Sequence, residues 1–155
     1  MLNLDVSYAI EKAGASEDIK KLSGYFLCSC FACIKQSRDG INQWTLLYFN
    51  PEENKVLDCF VNDKFVTIGD ETPPIAEIEK PDFTGLKVPV QDAISTAMKD
   101  YRKSTLNILI TLHQKGRLTW TINLISGDMM ATTVDIDAKT GEVTRQEETS
   151  LIRRL

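Results

Sequence analysis

The sequence has a single histidine, His113, and lacks the short motifs that mark common enzyme active sites. It contains no G-x-G-x-x-G or G-x-x-x-x-G-K-[ST] phosphate-binding loop, no H-E-x-x-H zinc helix and no G-x-S-x-G nucleophile turn. Asp135 does not begin an EF-hand calcium loop, because Thr140 and Gln146 stand where such a loop needs Gly and Glu. An enzyme is therefore the least favoured class of function, and no catalytic residue is assigned.

His113 itself is interpreted as an exposed residue at the end of a strand, next to Gln114 and Lys115. A Cys–His nucleophile pair would need His113 to meet a cysteine from the other half of the chain. It would also need a third group to orient the imidazole. Nothing near His113 in the sequence supplies either.

Long apolar runs and an excess of basic charge are also missing. No segment approaches the roughly 18 apolar residues of a membrane span. The start of the chain lacks the basic residues and apolar run of a secretory signal. The formal net charge is −4 and the pI about 5.1, which disfavours nucleic-acid binding. We therefore expect a cytoplasmic protein with neither a membrane nor a nucleic-acid partner.

Cysteines are few, at Cys28, Cys30, Cys33 and Cys59. Their C-x-C-x-x-C spacing lies in an apolar segment, where a free thiol acts as a small hydrophobic side chain, so we predict buried thiols and no metal or other cofactor. In a regular strand Cys28 and Cys30 share a face and Cys33 points the other way, so three ligands on one metal would need a bulge. A metal or redox site at these four cysteines remains the alternative.

Prolines and turn residues concentrate in one stretch, which contains Pro73, Pro74, Pro81 and Pro89. Because proline cannot donate to a sheet ladder, this stretch is predicted to connect two halves of the molecule. The predicted division is a first half at 1–70, a proline-rich connection at 71–89 and a second half at 90–155.

The second half shows a helix followed by strands. Apolar residues recur at helical spacing and predict a helix over about 90–102, with Val90, Ala93, Ile94, Ala97, Met98 and Tyr101 on one stripe. The period then changes to two, which predicts an antiparallel meander of four strands up to about residue 145. Gly141 is expected to supply positive φ in the last hairpin.

The first half repeats this order less cleanly, with two short helices and strands at about 25–36, 42–49, 55–61 and 64–68. Its turn at Asn50–Asn54 resembles the turn at Asp137–Gly141, which suggests a helix-plus-meander unit used twice. The strands at 25–36 and 44–49 are apolar on both faces, so we expect a second cover from the other half or from a partner chain, as in a homodimer. The predicted fold class is α+β, with two helix-plus-antiparallel-meander halves packed as one unit.

The segment from Trp120 to the turn Val134–Val143, with its Asp137-Ala138-Lys139-Thr140-Gly141 core, resembles a PepSY domain. The resemblance covers about residues 89–146 and allows the first half to be a diverged second copy. It implies a non-catalytic module of the kind found in peptidase propeptides and cell-envelope proteins, with inhibitory or protein-binding roles. The leading hypothesis is thus a binding module that presents a sheet face or groove to a peptide, protein or small apolar ligand.

Overall fold

The computed structural model describes residues 3–35 and 40–152 as helices, strands and their connections. The first half contains α1 (Val6–Gly14), α2 (Glu17–Lys20), β1 (Phe26–Lys35), β2 (Gln43–Asn50), β3 (Lys55–Asn62) and β4 (Val66–Thr72). After a 3-10 turn at Phe83–Gly85 come α3 (Val90–Met98), β5 (Thr105–Lys115), β6 (Arg117–Ser126), β7 (Met130–Asp137) and β8 (Val143–Ser150). The mixture of helices and one antiparallel sheet confirms the predicted α+β class.

All eight strands form one sheet in the order β4-β3-β2-β1-β5-β6-β7-β8. The first strands of the two halves, β1 and β5, pair antiparallel at its centre, with Cys30 opposite Leu112 and Ala32 opposite Ile110. The two halves therefore lie side by side in a continuous sheet. The expectation that one half covers the second face of the other is wrong, because the halves join strand edge to strand edge.

The core lies on one face of the sheet, beneath α1 and α3. Helix α1 contacts β2 and β3, and α3 contacts β6. The two tryptophans occupy the middle of this layer, fully buried, with ring centroids 6.1 Å apart. The largest fully buried side chains include Trp44, Trp120, Ile41, Leu46, Ile110, Leu112, Ile122, Leu124 and Ile136.

Helices α1 and α3 each bury a valine followed by two alanines, at the same spacing along the helix. Helix α1 buries Val6, Ala9 and Ala13, and α3 buries Val90, Ala93 and Ala97. Alanine at these positions lets a helix lie close to the sheet. The side chain of Asp5 caps α1 by accepting a hydrogen bond from the Ser7 N–H at 2.9 Å, which satisfies one of the free donors at the helix start.

The two turns that look alike in sequence are built alike. The side-chain oxygens of Asn50 and Asp137 each accept hydrogen bonds from the backbone N–H groups two and three residues further on, at 2.8–3.1 Å. Asn54 and Gly141 close these turns with φ of 55° and 82°. The first turn joins β2 to β3, however, whereas the second joins β7 to β8. The turns thus occupy different places in the two halves, and their likeness does not establish a tandem repeat.

The turn at Gly141 gives a stability prediction. Because positive φ strains any residue with a Cβ, Gly141→Ala is expected to reduce the free energy of unfolding by about 1 kcal/mol. Urea unfolding followed by circular dichroism measures the change. Gly127→Ala is the matched control, since Gly127 also lies in a turn of this half, lacks positive φ and has open space around it. Equal effects of the two substitutions would contradict the prediction.

On the opposite face of the sheet, called here the open face, no helix of residues 3–35 or 40–152 packs. Phe31, Phe60 and Leu109 lie on it half-buried, in alternation with the core residues of their strands. None of the helices within the described ranges has the length and apolarity of a membrane-crossing helix. Towards one end of the sheet, part of the proline-rich connection covers the open face.

Candidate functional site

A cavity of about 390 Å³ lies between the open face and residues 72–79, a segment we name the strap. Its floor comes from four neighbouring strands of both halves, and its roof from the strap. The floor and rim residues are Cys28, Ser29, Leu47, Val56, Asp58, His113 and Gln114. Because β1 and β5 both contribute, the cavity exists only where the two halves meet.

The strap is held at both ends. It continues directly from edge strand β4, which extends to Thr72, and the Glu79 carboxylate at its other end accepts a hydrogen bond from the Gly116 N–H at 2.9 Å. Gly116 lies in the β5–β6 turn, at the far side of the cavity from β4. Two prolines, Pro73 and Pro74, restrict the backbone between these anchors. The strap is therefore a crossing segment that is held at both ends.

A β-bulge shapes the floor at the start of β1. The pairing with β2 shifts between Leu27 and Ser29, so that Leu27 packs against the core and Ser29 faces the cavity. Cys28 lies in the bulge and lines the cavity, whereas Cys30 belongs to the core cluster. The regular alternation expected from the sequence is interrupted at Cys28, because the bulge adds a residue to the strand.

The four cysteines are not arranged as a group of metal ligands in the described structure. Cys28, Cys30 and Cys59 are buried, and Cys33 is partly exposed. Burial raises the pKa of Cys28 and of Cys59 to about 11, and it also raises the pKa of Cys30. Within residues 3–35 and 40–152 no three His, Cys, Asp or Glu side chains are grouped to bind a metal. Since the thiolate is the reactive and metal-binding form, the metal or redox alternative has no support here.

Thiol labelling tests this assignment. In the native protein we expect Cys30 and Cys59 to resist an aromatic disulfide reagent, because both are fully buried and remain protonated at neutral pH. Cys33, which is partly exposed, serves as the internal comparison and should react first. All four thiols should react in denaturant. Fast native labelling of Cys30 would mean that β1 is not packed as described.

His113 is held by a chain of hydrogen bonds on the open face. Its Nε2 lies 2.8 Å from the Thr121 hydroxyl, and this hydroxyl donates to the Asp135 carboxylate at 2.7 Å. Because the hydroxyl proton is directed to Asp135, we assign the imidazole proton to Nε2, which donates to Thr121. The expectation of an exposed strand-end residue is wrong: His113 is half-buried within β5, which continues to Lys115.

The surroundings of His113 favour its neutral form. Burial and the charge of Lys115 lower its pKa, against opposing contributions from Asp135 and Glu79. Among the described residues no hydrogen bond joins His113 to Cys28 or Ser29, although all three line the cavity. The cavity thus brings together a protonated thiol, a hydroxyl and a neutral imidazole without the contacts of a nucleophile–base pair.

A carboxylate completes the polar groups of the floor. Burial and the neighbouring charge of Asp70 raise the pKa of Asp58. Asp58, like Ser29, alternates with core residues on its strand and escaped notice in the sequence, which carries no motif around it. The sequence indicated this site only indirectly. Its strands are apolar on both faces, and a proline-rich segment long enough to cover one face of the sheet follows them.

The described structure is thus an antiparallel sheet with helices on one face and a strapped cavity on the other. The family model described as "Peptidase propeptide and YPEB domain" (PepSY) matches residues 87–147. The resemblance predicted for the second half is thereby confirmed. None of the curated proteins matches this chain significantly.

One solved structure resembles nearly the whole chain. It is the crystal structure of a candidate lipoprotein from Clostridium difficile 630, with a TM-score of 0.65 and 13% sequence identity. The similarity covers 96% of this chain and 95% of that one. At this identity it shows a shared fold, including the first half, and the cellular location of this chain remains a prediction.

Proposed function

We propose that this protein is a non-catalytic binding module that takes a peptide segment or small apolar ligand into the cavity beneath the strap. The observation that carries the proposal is the cavity itself. Its volume of about 390 Å³ falls within the roughly 300–1,000 Å³ of small-molecule sites. Its lining is mostly apolar once the strap is included, and Ser29, Asp58 and His113 on the floor supply a few polar groups that can orient a ligand. The PepSY match over the second half supports a module without catalytic chemistry.

We further propose that the two halves are diverged copies of one PepSY-like unit, joined so that the cavity forms between them. Trp44 and Trp120 each lie in the second strand of their half. Their indole N–H groups donate to the carbonyls of Leu4 at 2.7 Å and of Val88 at 2.9 Å. Each acceptor stands two residues before its helix, at the same point of the two units. This shared contact supports the repeat where the likeness of the turns does not.

The remaining sequence-based expectations concern the cellular context. A cytoplasmic location, the lack of membrane and nucleic-acid partners, and a possible homodimer stay predictions. The open face offers a surface for a homodimer, since Phe31 and Phe60 are only half-buried there. Size-exclusion chromatography with light scattering measures the oligomeric state directly.

The proposed function predicts that filling the cavity abolishes binding. Leu47→Trp places a larger side chain on the cavity floor, and we expect at least a tenfold loss of affinity for N-phenyl-1-naphthylamine, a neutral apolar fluorophore. Leu109→Trp is the matched control, because Leu109 lies on the open face outside the cavity. Fluorescence titration gives both affinities. Unchanged binding by Leu47→Trp would place the ligand elsewhere and refute the proposal.

A further inference from the structure

We propose that the cavity selects ligands that carry a positive charge on an apolar body, such as an alkylammonium group. This inference rests on the proposed function and names its ligand class. Three acidic residues are among those that line the cavity, the half-buried Asp58 on the floor and the exposed Glu77 and Glu79 in the strap, whereas none of its described lining residues is Lys or Arg. The neutral His113 adds no compensating charge.

The basic residues near the cavity are engaged elsewhere. Lys115 lies 3.0 Å from the Asp135 carboxylate, and Lys55 lies 3.5 Å from that of Glu71. The Lys80 ammonium lies 5.4 Å from the centroid of the Phe26 ring. Among the residues that the structure describes, no Lys or Arg forms an ion pair with Asp58, Glu77 or Glu79.

Asp58 is the carboxylate that a ligand would meet on the floor. Within the described part of the chain its side chain takes part in no ion pair or hydrogen bond, although it is half-buried. Burial and the charge of Asp70 raise its pKa, which shows that its neighbourhood favours the uncharged acid. A cation seated beside Asp58 removes that penalty, and its attraction is stronger in this partly dry site than in water.

The apolar part of the ligand has a matching surface. Leu47 and Val56 lie on the floor near Asp58, and the strap places Pro74 and Ile78 above them. A ligand with an ammonium group at Asp58 and a short hydrocarbon body therefore matches both charge and shape. A lysine side chain of an apolar peptide and a free alkylamine offer this same chemistry.

The test compares three probes of equal length on the full chain at pH 7: n-hexylammonium, 1-hexanol and hexanoate. Amide chemical shifts in 15N NMR spectra report affinity and location together. We expect hexylammonium to bind about tenfold more tightly than hexanol, and hexanoate to bind most weakly. Asp58→Asn should remove the preference for the ammonium over hexanol. Asp63→Asn, an exposed acid outside the cavity, is the control and should preserve the preference.

The outcomes separate the inference from the proposed function. Equal binding of hexylammonium and hexanol at the cavity, lost in Leu47→Trp, would overturn the charge preference and leave the binding function intact. Binding of no probe at the cavity would overturn both. A peptide pair, acetyl-Leu-Lys-Leu-amide against its norleucine analogue, distinguishes the two ligand sources. Preference for the lysine peptide supports a peptide ligand, and stronger binding of the norleucine peptide overturns the inference.

Discussion

Trp120→Ala and Trp44→Ala are each expected to reduce the free energy of unfolding by about 3–5 kcal/mol, the range for truncating a fully buried aromatic side chain. Each substitution leaves a cavity between helix and sheet. Each also removes the indole donor that ties the chain before a helix to the second strand of its half, from Trp120 to Val88 and from Trp44 to Leu4. Urea unfolding curves measure the loss, and a small domain with such a loss can be largely unfolded at 37 °C.

Two further variants complete the experiment: a surface control, and a substitution that separates the loss of buried volume from the loss of the indole hydrogen bond. Phe65→Ala is the control, because Phe65 is 64% exposed and its truncation should change stability by less than about 0.5 kcal/mol. Trp120→Phe keeps most of the buried volume and removes the hydrogen bond, so it should cost less than Trp120→Ala. A loss below about 1 kcal/mol in both alanine variants would mean that the helices do not cover this face.

The periodicity of the sequence predicted the elements because each has one buried face. The stripe that begins at Val90 identified α3, although the helix ends at Met98 and not near residue 102. The difference has a local cause. The Tyr101 N–H donates to the Met98 carbonyl at 3.1 Å, so a single turn after the helix keeps Tyr101 against the core and extends the apolar spacing.

The joining of the halves could not be derived from the same pattern. A strand with two apolar faces, such as β1, signals burial without saying what lies on either side. Its pairing with β5 depends on contacts between residues about eighty apart, such as Cys30 with Leu112, and periodicity carries no information on these. The bulge at Cys28 could not be predicted from the sequence for the same reason, since a bulge is defined by the pairing of β1 with its partner strand β2.

The candidate site depends on the pairing of β1 with β5 and on the bulge, which the sequence pattern did not predict. Ser29, Asp58 and His113 come from different strands, and only the sheet order brings them under one strap. The sequence singled out His113 for its chemistry and interpreted it as exposed, because a strand end beside Gln114 and Lys115 is typically solvated. Its contact with Thr121, on the neighbouring strand β6, was not available from composition.

The network that begins at His113 ends on the most buried carboxylate of the second half. Asp135 is only 3% exposed and accepts hydrogen bonds from Thr121 at 2.7 Å, Lys115 at 3.0 Å and Arg145 at 3.1 Å. Burial alone would raise its pKa, but these hydrogen bonds and the two positive charges outweigh it and lower the pKa below the ordinary value of 3.8. The charged form of Asp135 therefore stabilises the native state.

Asp135→Asn is accordingly expected to destabilise the protein by about 2 kcal/mol at pH 7. The amide keeps the shape of the side chain and can still accept from Thr121, but it loses the charge that Lys115 and Arg145 contact. Because those two cations are about half-exposed, water replaces part of what they lose, and the cost stays well below that of breaking a fully buried ion pair. Urea unfolding at several pH values measures the effect.

The pH dependence identifies the charge as the cause. A group whose pKa is lowered by folding contributes stability that is complete above its unfolded pKa and disappears as the pH falls through its folded pKa. The difference between the wild type and Asp135→Asn should therefore be constant from pH 7 to about 5 and shrink below about pH 4. Glu147→Gln is the control: Glu147 also contacts Arg145, at 3.0 Å, but is exposed, so its loss should change stability by less than about 0.5 kcal/mol. A difference that persists undiminished at pH 2.5 would show that Asp135 acts through its shape and not through its charge.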